Sequence, residues 1–126
     1  MTLPRSRRFA ALAVVLVAVF AVGACSSSKK SEPTKTVSNG EITIDAFDIH
    51  FDVGTIKTTA GPLKVTFVNK GALEHTFKIL NTDFELKANA GETKTGTVTL
   101  QKGTYDYECA IAGHASQGMK GTIEVS

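Results

Sequence analysis

From Ile42 to Val125 apolar and polar residues alternate with a period of two, broken at short intervals by Gly, Asn, Lys and Pro. Successive side chains of a strand point to opposite faces, so this pattern describes strands buried on one side and wet on the other. Ile42 and Ile44 open it. Phe47, Ile49, Phe51 and Val53 then alternate with Asp48, His50 and Asp52, which predicts one half-buried strand. A short strand over Thr55–Thr59 ends at Ala60-Gly61-Pro62. Leu63, Val65 and Phe67 share a face up to the turn Asn69-Lys70-Gly71. His75, Phe77 and Ile79 share the next face, followed by Phe84, Leu86 and Ala88, then Gly96, Val98 and Leu100. Tyr105, Tyr107 and Cys109 line the penultimate strand, and Ile123 and Val125 the last. About eight short strands without an amphipathic helix predict an all-β fold, a Greek-key antiparallel sandwich or barrel.

The N-terminus follows other rules. Arg5, Arg7 and Arg8 precede an apolar run from Phe9 to Ala21, too short for a membrane span, and the small residues Val22-Gly23-Ala24 lead to Cys25. This predicts an export signal over 1–24. Val-Gly-Ala-Cys resembles the bacterial lipobox, which implies that Cys25 is lipidated and anchors the mature chain to the outer face of a bacterial membrane. Ser26 to Asn39 holds Ser, Lys, Thr and Pro with Val37 as its single aliphatic residue, so residues 25–40 read as a flexible tether and 41–126 as the domain.

Removing the signal removes all three arginines and leaves 11 lysines against 12 acidic residues, a formal balance of −1. The precursor's +2 charge therefore supports neither nucleic-acid binding nor a polybasic membrane patch. With Cys25 lipidated, Cys109 is a lone thiol in an oxidising compartment, where a bound metal would protect it. A Cys25–Cys109 disulfide is the alternative, but a tail cysteine makes a poor structural partner.

Cys109, His114 and Met119 follow one another at even spacing between the last two strands. A thiolate, an imidazole and a thioether in one loop suit copper. His75 can complete the set, because the alternation that buries Phe77 and Ile79 turns His75 inward too. Cys109 faces inward with Tyr107 by the same parity. Two His and one Cys in a plane with a weak axial Met is the pattern of an electron-transfer copper site. Zinc would not favour the thioether and would call for another Cys, His or carboxylate. Gly113 and Gly118 permit positive φ where the loop bends. Singly, a histidine on an apolar strand face is usually a packed residue and a methionine core filler. Order, parity and compartment together favour the metal. His50, between Asp48 and Asp52, reads as part of a solvated strand face rather than a second site.

These residues carry a resemblance to the cupredoxins, the small blue copper proteins. Cys109-x4-His114-x4-Met119 before a final strand resembles the ligand loop of rusticyanin- and sulfocyanin-type members, with azurin and plastocyanin loops differing by a residue or two. Gly71-Ala72-Leu73-Glu74-His75-Thr76-Phe77 resembles the family's upstream ligand segment. Thr76 stands where many relatives carry an Asn that hydrogen-bonds near the cysteine. The resemblance implies one copper ion, Cu(I) or Cu(II), held by His75, Cys109 and His114 with Met119 axial. It further implies a non-enzymatic monomer carrying single electrons between redox proteins such as a cytochrome or a terminal oxidase. Partners would dock on an apolar patch around His114, framed by Leu73, Ile111, Ala112 and Ala115. The alternative is a carrier or buffer that delivers or sequesters copper. A fragment of a multicopper enzyme is disfavoured, because no second histidine cluster exists.

Overall fold

The computed structural model describes residues 32–126. The expected export signal, Cys25 and the first part of the tether lie outside the described residues. Ten strands follow: β1 Thr34–Thr36, β2 Glu41–Phe47, β3 His50–Phe51, β4 Thr55–Thr58, β5 Gly61–Asn69, β6 His75–Ile79, β7 Glu85–Ala88, β8 Thr93–Leu100, β9 Gly103–Glu108 and β10 Lys120–Val125. One turn of 3-10 helix, Ala115–Gln117, sits in the loop between β9 and β10. The strands form two sheets, one ordered β1-β4-β10-β9-β6-β7 and the other β3-β2-β5-β8.

The all-β sandwich expected from the alternation is the fold that forms, with three differences. First, the pairs β1–β4, β4–β10 and β2–β5 are parallel. Alternation reports which face of a strand is buried and carries no information on its direction.

Second, the tether expected over 25–40 stops short. Thr34–Thr36 pairs along β4, Val37 is buried, and the Val37 amide donates to the Lys57 carbonyl at 2.8 Å. The Gly54 amide donates to the Pro33 carbonyl at 2.9 Å. An edge strand needs only its backbone to join a sheet, so polar composition did not reveal this one.

Third, the stretch from Phe47 to Val53 is not one strand. The chain reverses at Asp48 and Ile49, with Ile49 at φ 61, and β2 pairs antiparallel with β3. Ala46 and Phe51 are cross-strand neighbours on the buried face. Phe47 and His50 are neighbours on the outer face, their rings stacked 5.0 Å apart. The turn switches the parity that unbroken alternation would have preserved.

Between the sheets lie Ile42, Ile44, Val65, Phe67, Phe77, Ile79 and Ile123, all buried. Four rings form the centre: Phe77–Tyr107 at 4.9 Å, Phe51–Tyr107 at 5.6 Å, Phe51–Phe77 at 5.8 Å and Phe67–Phe77 at 6.1 Å between centroids. Such tilted and edge-on pairs add to the area they bury. The Tyr107 hydroxyl donates to the Val53 carbonyl at 2.6 Å. Gly121 makes room for it: a Cβ there would lie 2.3 Å from both the Gly54 carbonyl oxygen and the Tyr107 hydroxyl. The result is a rigid floor beneath the end of the barrel where β6 begins and β9 stops.

Candidate metal centre

His75 is the first residue of β6 and follows a turn tied down from three sides. The buried Asn69 donates through Nδ2 to the Leu73 carbonyl at 2.7 Å and the Ala88 carbonyl at 3.0 Å. Its Oδ1 accepts from the Gly71 amide at 3.0 Å. From the β2–β3 turn, Asp48 Oδ1 accepts from the Ala72 amide at 2.8 Å. Gly71 lies so close that a Cβ would sit 2.7 Å from that same oxygen. The position of His75 is therefore set by packed sheet and buried hydrogen bonds.

The other three candidates share one loop. Its ends are joined where the Cys109 amide donates to the Met119 carbonyl at 3.0 Å. Inside, the Met119 amide donates to the His114 carbonyl at 3.1 Å, and the His114 amide to the Ile111 carbonyl at 3.0 Å. Gly113 and Gly118 take φ values of 85° and 106° at the bends, the left-handed conformation the sequence allowed for. Ser116 and Gln117 both donate to the Gly113 carbonyl, at 2.9 and 3.1 Å. Met119 is fully buried.

These elements bring His75, Cys109 and His114 together, with their candidate ligand atoms all within 4.8 Å of one another and all three side chains buried. Cys109 Sγ lies 3.4 Å from His114 Nδ1 and 3.9 Å from His75 Nδ1, and the two imidazole centroids are 5.1 Å apart. Both rings thus turn Nδ1 toward the sulfur. His75 Nε2 has no hydrogen-bond partner although it is buried. Burial, and after it the neighbouring His114, push the His75 pKa below its ordinary value, with Asp48 opposing. A neutral imidazole with a free lone pair is the form that binds a metal.

Thr76 ties the two segments together. Its hydroxyl accepts from the Ala110 amide at 2.7 Å, while its own amide lies 3.4 Å and its Oγ1 3.9 Å from Cys109 Sγ. This threonine therefore does beside the cysteine what the resemblance asked of an asparagine. Asn69, by contrast, was legible only as a turn residue; its buried supporting role had no signal in a single chain.

Residues 12–125 match the family model described as a cupredoxin-like domain. The chain is a member of the cupredoxin-like family. No curated protein sequence matches it. Among solved structures, it resembles dithionite-reduced auracyanin from Roseiflexus castenholzii, 20% identical with a TM-score of 0.65, over 71% of this chain and 99% of that one. Auracyanin A, a blue copper protein from Chloroflexus aurantiacus, is 21% identical with a TM-score of 0.59, over 73% and 100%. Rusticyanin from Thiobacillus ferrooxidans is 24% identical with a TM-score of 0.61, over 74% and 81%. At these identities the likeness is one of fold.

Cupredoxins bind one copper ion and act as electron carriers. The donors of this cupredoxin fit that ion: one thiol sulfur and two imidazole nitrogens converge, a buried thioether lies in the same loop, and no carboxylate belongs to the cluster.

Proposed function

We propose that this cupredoxin is an exported, lipid-anchored carrier of single electrons, with a copper ion that His75, Cys109, His114 and Met119 would hold. The observation that carries the reading is the buried convergence of Cys109 Sγ with Nδ1 of both histidines. When bound, copper supplies a one-electron couple. The protein's part is to hold the donors still. Three come from a loop closed by its own backbone bonds, and the fourth from a strand end fixed by Asn69. A site that barely rearranges suits rapid electron transfer better than metal release, which favours the electron carrier over the copper carrier. Thr76 supports the sulfur, and the apolar surroundings keep water from it.

The surface beside His114 suits partner docking. Leu73 is 47% exposed, Ala112 is exposed, and Ile111 and Ala115 are half-buried, which leaves apolar surface on the two segments that carry His75 and His114. A redox protein such as a cytochrome or terminal oxidase would meet the site there. Residues 1–24 act as the export signal, and the lipid sits on Cys25.

Two variants test these readings separately. Copper-loaded protein should show an intense visible band from the copper–thiolate bond, and Cys109→Ser should abolish it. A Ser variant that keeps the band removes Cys109 from the site. Cys25→Ala should leave copper and colour unchanged while releasing the protein from membranes or stalling it as precursor. Correctly processed protein that stays membrane-bound refutes the lipid anchor.

A further inference from the structure

The direction in which the chain joins the barrel says which end of it the membrane meets. Cys109 follows the end of β9, and that end is paired with the start of β10, Lys120 opposite Glu108. The candidate metal centre thus marks one end of the barrel, and Val125, opposite Gly103, lies toward the other. β4 runs parallel to β10, with Thr55 beside Thr122 and Thr58 beside Val125. β1 runs parallel to β4, with Thr34 beside Thr55 and Thr36 beside Lys57. Going backward along β1 therefore leads toward the metal end. Pro33 and Glu32 continue that way across Gly54, whose missing side chain makes room for them: a Cβ there would lie 2.3 Å from Glu32 Cβ.

We propose that the metal end faces the bilayer and docks a redox protein embedded in that same membrane. This rests on the Cys25 anchor proposed above. Only residues 26–31 separate Cys25 from Glu32, and seven steps of chain reach at most about 25 Å even when fully extended. With the metal end toward the membrane, the chain arrives from Cys25 without changing direction. To rest the opposite end on the membrane, it would have to reverse after Glu32 and run back beside β1 and past the turn after Thr58. The barrel itself is about 30 Å long, judged from the nine residues of β5. The short tether thus favours one orientation.

The chemistry of that end agrees. The segment Cys109–Met119 contains no charged residue, and its exposed neighbour Leu73 is apolar. Electrostatic attraction raises the rate at which freely diffusing partners find each other. The loop itself lacks that advantage, and the charges flanking it include opposite-sign pairs, Glu74 with Lys87 and Glu108 opposite Lys120. Confinement to one membrane makes such attraction unnecessary, because the tether holds carrier and partner at high effective concentration.

The test uses the full lipidated, copper-loaded chain in phosphatidylcholine–phosphatidylglycerol vesicles, reduced to diamagnetic Cu(I). Nitroxide labels are placed at Ala112→Cys near the metal end or Lys102→Cys at the opposite end. Nickel chelated to a lipid headgroup should relax the first label several-fold more than the second. A chain carrying Cys25→Ala and a lipid attached after Ser126 instead should invert that ratio. In addition, source membranes washed free of peripheral proteins should oxidise or reduce the Cys25-anchored protein several-fold faster than the Ser126-anchored one. Equal or inverted label ratios for the native anchor overturn the orientation. Activity that leaves the membranes with the wash overturns the embedded partner. Failure of the unlabelled chain to float with vesicles overturns the anchor itself, and the membrane-facing proposal with it.

Discussion

Replacing Asn69 with Ala should destabilise both the fold and the metal centre, and by different amounts. Asn69 is 1% exposed and makes three side-chain hydrogen bonds, to the carbonyls of Leu73 and Ala88 and from the amide of Gly71. A hydrogen bond contributes about 1 kcal/mol net, and a buried partner left unsatisfied costs more. Three such losses predict about 3 kcal/mol. For a domain of this size that lowers Tm by about 12–24 °C, at roughly 4–8 °C per kcal/mol. Guanidinium titrations of metal-free protein read this term alone. The copper-loaded form should lose more, because the bonded turn leads directly into His75, and a misplaced donor weakens the binding that stabilises the native state. Copper should also dissociate faster from the variant. A loss below about 1 kcal/mol in the metal-free protein would refute the hydrogen-bond reasoning. Equal losses with and without copper would show that Asn69 supports the sandwich and leaves His75 unaffected.

Met119→Leu keeps an apolar side chain of similar volume, so copper and colour should persist. Voltammetry should find the variant more oxidising by at least about 60 mV, or ~1.4 kcal/mol for one electron. An unmoved potential makes Met119 core filler. Gly121→Ala pushes a methyl group into the Gly54 carbonyl and the Tyr107 hydroxyl, and should cost about 2 kcal/mol or more in thermal unfolding; a variant of wild-type stability contradicts the close approach. Because His75 has a lowered pKa in the fold, the unfolded chain takes up that proton first as pH falls. Metal-free protein should therefore be most stable above about pH 6.5 and weaken below it, a slope that urea titrations of a His75→Gln variant should show reduced.

The strands and the three clustered donors were legible because burial imposes a parity that the sequence displays. His75 could be assigned to the interior from Phe77 and Ile79, and Cys109 from Tyr107, before any coordinates. Parity failed where a turn without Gly or Pro interrupted it: Asp48 and Ile49 gave no turn signal, and Ile49 adopts a left-handed conformation that β-branched residues rarely take. It was silent on strand direction, and so on the parallel pairs. Composition misjudged Thr34–Thr36, since the bonds that hold this edge strand come from main-chain atoms every residue possesses. Asn69 and Gly71 needed coordinates because their roles rest on long-range neighbours, Ala88 for one and Asp48 for the other.

The place of β10 between β4 and β9 has a consequence for when this domain can fold. β4 precedes it by more than sixty residues and pairs with it in parallel, so the larger sheet stays divided until residues 120–125 arrive. Such non-local pairing is slow to form, typically milliseconds to seconds in comparable β domains. Until β10 is in place, the loop from Cys109 to Met119 is held at its β9 end alone, and the bond from the Cys109 amide to the Met119 carbonyl cannot close. The thiol is therefore most vulnerable in that interval, and closure of β10 is what ends it.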